Sequence, residues 1–132
     1  AARPPLAGRV EVRGYVAEAE RRALLASAAV LVLPSFDEGF GIPALEAMAC
    51  GVPVVASNRG ALPEVVGDAE PLVDPDDIEG LALAVERLLD PAEAETASAR
   101  GFARAARFSW DAAARSAYAA FTAAVARRGE RG

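Results

Sequence analysis

Apolar and polar positions follow two periods along this chain, and together they predict strands and helices in alternation. Residues 10–13 alternate apolar and polar side chains, which is typical of a short strand near a sheet edge. Residues 29–33 are continuously apolar, the pattern of a parallel strand covered on both faces, and 53–57 and 71–73 predict two further buried strands. Helices are predicted at residues 18–28, 43–50, 62–66, 92–107 and 110–127, and from a cap at Asp76 or Asp77 to about Leu89.

Strands and helices that alternate at these lengths predict an α/β fold. We expect a parallel sheet of three or four strands with right-handed crossovers and with helices on both faces, which makes three layers. No repeat or linker divides the chain, so residues 1–132 are expected to form a single domain. Residues 1–8 lack the strand and glycine-rich turn that normally open a doubly wound fold, so the chain is expected to begin part-way through it.

The loop that follows the second predicted strand combines glycines with carboxylates at a strand-to-helix turn. Open α/β sheets bind their ligands at such turns. Gly39 and Gly41 allow the backbone to approach a ligand closely or to adopt a positive φ. The first amides of a helix opened by Pro43 are unpaired donors, with the positive end of the helix dipole behind them. This arrangement is suited to the pyrophosphate of a nucleotide.

Glu38 and Glu46 bracket this turn with seven residues between them. Two carboxylates would repel a phosphate, so we expect them to accept hydrogen bonds from hydroxyl groups, such as those of a ribose and a sugar. A plainer interpretation is that Glu46, in the first helical turn, complements the helix dipole by about 0.3 to 1 kcal/mol while Glu38 is solvated. Spacing alone leaves both interpretations open.

Composition narrows the chemistry. All 14 positive charges are arginines, there is no histidine, and Cys50 is the single cysteine. The missing histidine removes the usual general base and the commonest metal ligand, so any chemistry must use carboxylates, hydroxyls, backbone amides and arginine. The net charge of −5 disfavours a nucleic-acid partner. No apolar run approaches the roughly 18 residues that span a bilayer, and we expect a cytoplasmic or membrane-peripheral protein.

Residues 34–57 read PSFDEGFGIPALEAMACGVPVVAS, which closely resembles the signature of family 4 retaining glycosyltransferases of the GT-B fold. The resemblance continues through residues 60–68 and 72–77, on to 108–110 and back to 14–16, in order and without gaps. It implies a Rossmann-like half of a GT-B fold, truncated at its N-terminus. The chain would then be a partial C-terminal donor-binding domain, and the acceptor-binding N-terminal domain would be absent from it.

The resemblance also implies a role for each position of the site. Glu38 would contact hydroxyls of the donor sugar and face the reacting centre, as the catalytic residue. Glu46 would bind the ribose hydroxyls, Leu45 would pack near the ribose, and the turn at Tyr15 and Val16 would touch the base. The residues implied to bind the nucleotide sugar are Tyr15, Val16, Gly39, Phe40, Gly41, Ile42, Leu45 and Glu46. The family typically needs no metal, so the nucleotide-diphosphate sugar is expected as substrate and no cofactor is expected.

The chain departs from the family pattern in its positive charges. Members carry an arginine and a lysine upstream that neutralise the departing diphosphate, whereas this chain has no lysine. Arg3, Arg9 and Arg13 are candidate substitutes, but Arg9 and Arg13 flank a predicted strand and are expected at the surface, as is Arg21 on the first predicted helix. Electrostatic stabilisation of the leaving group usually accounts for a large share of the rate enhancement in such a transfer. We therefore expect this chain alone to be inactive.

The sequence thus predicts the donor-binding part of a retaining glycosyltransferase, which transfers a sugar from a nucleotide sugar to an acceptor hydroxyl. The expected partners are the donor, the missing acceptor domain, and a glycan or membrane-peripheral acceptor. Among the other aromatic residues, Phe108, Trp110 and Tyr118 are expected to dock helices. The alternative is a non-catalytic nucleotide- or polyol-binding module on the same scaffold, because a fold does not fix a function.

Overall fold

The computed structural model of this protein describes residues 8 to 129. The described residues form a three-stranded parallel sheet in the order β1–β2–β3, surrounded by six helices. The strands are β1 (Leu31–Leu33), β2 (Val54–Ser57) and β3 (Leu72–Val73). The helices are α1 (Glu18–Ser27), α2 (Ile42–Ala49), α3 (Leu62–Val66), α4 (Ile78–Leu88), α5 (Pro91–Ala105) and α6 (Trp110–Gly129). The expectation about residues 1–8 falls almost entirely outside the described range.

β2 lies at the centre of the sheet, and all four of its residues are fully buried. Successive side chains of a strand point to opposite faces. Val54 and Ala56 belong to an apolar cluster with residues of α2 and α3, while Val55 packs with Leu88 of α4 and Ala97 of α5. Helices therefore cover both faces of the sheet, which confirms the predicted three-layer α/β fold.

The strand predicted at residues 10–13 is wrong. This segment is unpaired, and the side chain of Val12 is 92% exposed. A period of two shows which side chains could share a face, but a strand also needs a neighbour for its backbone hydrogen bonds. Arg13 instead pairs with Glu11, at 2.9 Å, and with Glu20. Among the described residues, the sheet has three strands rather than four.

β1 is shorter than its predicted run and is not covered on both faces. Its central residue, Val32, is partly exposed, while Leu31 and Leu33 pack against the cluster that contains α2. On the other face α4 packs against β2 and β3. Among residues 8–129, β1 pairs with β2 alone and is therefore an edge strand. The exposure of Val32 leaves one of its faces open.

Side chains cap the starts of two helices, and one of these caps follows the prediction at Asp76 or Asp77. The Asp77 carboxylate accepts a hydrogen bond of 2.8 Å from the Gly80 amide at the start of α4, which selects Asp77 over Asp76 as the cap. The Ser109 hydroxyl accepts one of 3.1 Å from the Ala112 amide at the start of α6. Both residues satisfy helical N–H groups that would otherwise lack a partner.

α6 is the helix least attached to the rest. All of its described side chains are exposed, including those of Trp110 and Tyr118, so the expectation that these two residues dock a helix is wrong. Phe108, just before α6, does dock: it packs against the α2 cluster and meets the Phe40 ring edge-on at 6.1 Å between centroids.

α5 crosses α2 closely, and Gly101 makes this possible. A Cβ atom at Gly101 would lie 3.2 Å from Cγ of Met48 in α2 and 2.7 Å from Oε1 of Glu70. Arg104 fixes the same helix to α3, since its Nε donates to the Val65 carbonyl at 2.9 Å and its Nη2 donates to the Glu64 carbonyl. These bonds satisfy carbonyls at the C-terminal end of α3.

The Glu70 carboxyl group is buried beneath α5. Glu70 is 6% exposed, and neither carboxylate oxygen has a hydrogen-bond partner among the described residues. Burial raises its pKa to about 7, because the charged form loses its hydration. The Val54 N–H and the Arg100 charge lower the pKa in part, although neither makes a hydrogen bond to the carboxylate. Nothing in the local sequence pattern marks this residue as buried.

Glu70 predicts a dependence of stability on pH. Its folded-state pKa of about 7 lies above the ordinary 4.5, so the folded state binds the proton more tightly than the unfolded chain does. The resulting stability is fully present below about pH 4.5 and is lost as the pH rises through about 7, by on the order of 3 kcal/mol. Urea unfolding from about pH 4 to 8 measures this loss as the difference between the wild-type chain and Glu70→Gln.

The matched control is Glu64→Gln, which removes an exposed carboxylate of α3. This variant should keep the wild-type pH dependence of the free energy of unfolding, whereas Glu70→Gln should flatten it. Identical pH profiles for the wild-type chain and Glu70→Gln would show that the Glu70 proton does not contribute to stability.

Candidate functional site

The turn between β1 and α2 is shaped by Gly41. This residue caps α2 with a φ of 92°, in the left-handed region that favours glycine, as the sequence predicts. A Cβ atom here would lie 2.7 Å from Cδ2 of the buried Leu62. Gly39 lies outside the left-handed region, and a Cβ atom added to it would meet nothing within 4 Å. The backbone at Gly39 therefore faces open space.

The turn after β2 presses against the backbone of Glu38. Gly60 has a φ of 61°, and a Cβ atom there would lie only 2.7 Å from the Glu38 nitrogen. The Ala61 amide donates a hydrogen bond of 3.0 Å to the Glu38 carbonyl. Glu38 is partly buried, and the ion pairs among the described residues use other carboxylates. Its backbone is thus fixed while its carboxylate remains available.

α2 begins one residue earlier than predicted, at Ile42, so Pro43 is its second residue and not its first. Glu46 consequently lies in the second turn of the helix, and its predicted place in the first turn is wrong. The effect of a helix dipole on a charge falls off within the first turn. This weakens the interpretation of Glu46 as a mere partner of the dipole.

Glu46 is held by Arg21 of α1. Nη1 of Arg21 donates a hydrogen bond to Oε2 of Glu46, and the two side chains are 44% and 34% exposed. This hydrogen bond and the charge of Glu46 are the main causes that raise the pKa of Arg21, with smaller contributions from Glu18 and Tyr15. The expectation that Arg21 simply faces solvent is therefore wrong. Sequence reasoning missed the contact because the partners lie 25 residues apart on different helices.

The other residues implied in donor binding lie in this turn, in α2 and in the segment before α1. Phe40 and Ile42 are partly exposed, and Leu45 packs against the core. Tyr15 is 98% exposed. Val16, the next residue, is partly buried. The structure thus brings the residues of the turn together. Tyr15 and Val16 precede α1, which is joined to α2 by the bond from Arg21 to Glu46.

Arg59 is a second arginine at the turn. Its guanidinium lies 5.4 Å from the centre of the Phe36 ring, in the loop after β1. It also donates to Asp74 at 2.9 Å and to Asp76 at 2.8 Å. These hydrogen bonds raise the pKa of Arg59, and the pKa of Asp74 is lowered by the Asp76 amide first and by Arg59 second.

The candidate substitutes for the missing cations are not assembled at the turn. Arg13 is engaged by Glu11 and Glu20, whose contacts raise its pKa. Arg9 is exposed, and Arg3 lies outside the described residues. Within residues 8–129, no three histidine, cysteine, aspartate or glutamate side chains are grouped so as to hold a metal ion. In the same part of the chain, no helix is both long and apolar enough to cross a membrane.

The turn lies within a match to a known family. The family model described as "Glycosyl transferases group 1" matches residues 1–91 of the 132. The chain belongs to this glycosyltransferase family. Membership confirms the resemblance to GT-B glycosyltransferases and makes the chain part of a family of enzymes.

Individual glycosyltransferases support the assignment. The chain is 49% identical over 105 residues to O-antigen chain mannosyltransferase B of Escherichia coli, which covers 79% of this chain and 28% of that protein. It is 46% identical over 123 residues to the MMP alpha-(1->4)-mannosyltransferase of Mycolicibacterium hassiacum, covering 89% and 30%. The structure of sucrose-phosphate synthase from Thermosynechococcus elongatus matches with a TM-score of 0.69 at 40% identity, covering 82% and 28%. This glycosyltransferase chain spans less than a third of the length of these relatives.

The contact between Gly60 and Glu38 predicts a costly substitution. Gly60→Ala would place a Cβ atom against the Glu38 backbone and force alanine into a positive φ, so it should lower the free energy of unfolding by about 1 to 3 kcal/mol. It should also shift the amide signal of Glu38. Gly39→Ala is the control, because its Cβ meets open space, and it should change stability by less than about 0.5 kcal/mol. Equal losses in the two variants, measured by urea unfolding, would contradict this account of the turn.

Proposed function

We propose that the turn between β1 and α2 binds a nucleotide-diphosphate sugar, and that this chain is the donor-binding part of a retaining glycosyltransferase. The observation that carries the proposal is the arrangement of the two glutamates. Glu38 and Glu46 flank one turn, with an available carboxylate at one side and a carboxylate held by Arg21 at the other. Between them lies a backbone that opens to solvent at Gly39. Family membership favours an enzyme over a non-catalytic binding module.

The two glutamates are proposed to divide the hydroxyl groups of the donor. Glu38 would accept hydrogen bonds from the transferred sugar and face the reacting centre, where its backbone anchorage would hold it in place. Glu46 would accept hydrogen bonds from the ribose, with Leu45 packed beside it. A carboxylate accepts several hydrogen bonds at once, which suits adjacent hydroxyls.

The backbone of the turn is proposed to receive the diphosphate. The amides of Gly39, Phe40, Gly41 and Ile42 would lie against the sugar and the phosphates, with the positive end of α2 behind them. Tyr15 and Val16 would contact the base, since they precede α1, whose Arg21 binds Glu46. The site would act without a metal ion.

Transfer is proposed to need more than this chain. The departing diphosphate requires a positive charge, and Arg13 and Arg59 are already engaged by carboxylates. The relatives are more than three times as long as their matching region, which leaves room for an acceptor-binding N-terminal domain that supplies the cations. The complete enzyme would be cytoplasmic or membrane-peripheral and would act on a glycan acceptor. The names of two relatives make mannose the first donor sugar to test.

Nucleoside diphosphates should shift the amide signals of residues 39–42, 44 and 45 in NMR titrations of the chain with UDP, GDP and ADP. Glu46→Ala should lower the affinity for whichever of these nucleotides binds by about 10- to 100-fold, because hydrogen bonds to a charged group are lost. Glu64→Ala removes an exposed glutamate of α3 and is the matched control, with no change expected. Equal weakening by both substitutions, or shifts confined to Arg127 and Arg128 in α6, would overturn the proposal.

Glu38 should distinguish a nucleotide sugar from the nucleotide alone. Glu38→Ala should weaken the binding of the sugar-bearing donor by about tenfold and leave the affinity for the nucleoside diphosphate within about twofold. Calorimetric titration with both ligands measures this ratio, with mannose-bearing donors first. If both affinities fell together, Glu38 would contact the nucleotide or support the turn, and its proposed role at the sugar would be wrong.

A further inference from the structure

Arg21 is the arginine that directly contacts a carboxylate of the proposed donor site. α1, which carries it, has no buried residue and is attached to the core through the partly buried Leu25 and the adjoining Ala28. The bond from Arg21 to Glu46 is therefore a polar link between a lightly attached helix and the turn. It joins α1 to the second turn of α2.

The neighbouring ion pair shows what an ordinary surface contact on this helix looks like. Arg22 pairs with Glu18 four residues before it on the same helix, and these side chains are 75% and 66% exposed. Exposed pairs of this type contribute little. The pair of Arg21 with Glu46 is less exposed, at 44% and 34%, and joins two helices. Arg21 thus constrains a residue of another element, which Arg22 does not.

The geometry of the pair leaves half of the carboxylate for a ligand. The bond from Arg21 uses Oε2 of Glu46. A carboxylate has two oxygens with about four lone-pair sites between them, so Oε1 retains its capacity to accept hydrogen bonds. Because Oε2 is held by Arg21, Oε1 accepts hydrogen bonds from a fixed direction. A ligand then binds without ordering the side chain itself.

The positive charge of Arg21 reduces the electrostatic repulsion between the Glu46 carboxylate and a diphosphate bound beside it. A carboxylate beside a diphosphate repels it, and the repulsion grows as water is excluded. A guanidinium on the far oxygen of that carboxylate offsets the repulsion without occupying the space of the phosphates. A planar guanidinium also fixes the orientation of its partner, which a lysine ammonium does less well.

We propose that Arg21 is a positioning residue for the ribose of the nucleotide. It holds Glu46 so that Oε1 faces the ribose hydroxyls, and its charge makes the carboxylate compatible with the diphosphate nearby. This inference rests on the proposed function, since it assigns Arg21 to the same site. The ligand class is a ribonucleoside diphosphate with both ribose hydroxyls present.

The first test compares UDP, GDP and ADP with their 2′,3′-dideoxy counterparts by calorimetric titration. Arg21→Gln should lower the affinity for the ribonucleotide that binds by about fivefold or more. It should lower the affinity for the dideoxy form of the same nucleotide by less than about twofold. Arg21→Lys, which keeps the charge, should recover part of the loss. Arg22→Gln, the same change one residue along the helix, should alter neither affinity. In a Glu46→Gln background, Arg21→Gln should no longer change the preference for the ribonucleotide.

The second test needs no ligand. Scalar couplings that report the χ1 angle of Glu46 should indicate one rotamer in the wild-type chain and in Arg22→Gln. In Arg21→Gln they should indicate averaging among rotamers. Helical circular dichroism of each variant checks that α1 is retained.

The outcomes separate this inference from the proposed function. If Arg21→Gln tightens ribonucleotide binding, Arg21 blocks Glu46 and the inference is overturned. It is also overturned if ribonucleotide and dideoxynucleotide affinities fall equally, or if the Glu46 rotamer stays fixed, and in these cases donor binding at the turn stands. If the wild-type chain binds none of the three diphosphates while the rotamer depends on Arg21, the proposed function fails and the ribose role fails with it.

Discussion

β2 has no solvent-facing side, and the rest of the molecule is arranged to satisfy that condition. Its backbone needs a parallel neighbour on each edge, and its side chains need helices above and below. Parallel neighbours bring the carboxyl ends of all three strands to one edge of the sheet. The turns after β1 and β2 therefore meet there, which is why Gly60 lies against the backbone of Glu38. The candidate site is a consequence of how the central strand is buried.

Arginine joins these turns to one another. Arg59 follows β2, stacks over Phe36 in the loop after β1, and binds Asp74 after β3, so one side chain contacts all three strand ends. Arg104 joins α5 to α3 in the same way, because it donates hydrogen bonds to carbonyls at the end of α3. Because the chain has no lysine, every cation of this kind is a planar guanidinium, which donates several hydrogen bonds in fixed directions. Arg59 and Arg104 thus serve as connections between elements of the structure.

Features that depend only on residues close together in the sequence could be predicted from it. The apolar run of β2, the glycine at position 41 and the cap at Asp77 can each be read within a few positions. Three features could not be read in this way. The segment at 10–13 has the right alternation, yet pairing depends on a partner strand. The bond from Arg21 to Glu46 joins distant positions, and the burial of Glu70 depends on where α5 crosses. Roles for the turn residues came from the family resemblance and remain proposals.

The close crossing of α5 over α2 has an evolutionary consequence. Glu70 can occupy its buried place only because position 101 has no side chain, and Gly101 leaves a space that the Glu70 carboxylate fills together with Met48. A larger residue at either position leaves no room for the other. Positions 70 and 101 should therefore change together among relatives: a side chain can appear at 101 only where the one at 70 has become shorter, and the intermediate with both side chains large is the one that selection removes.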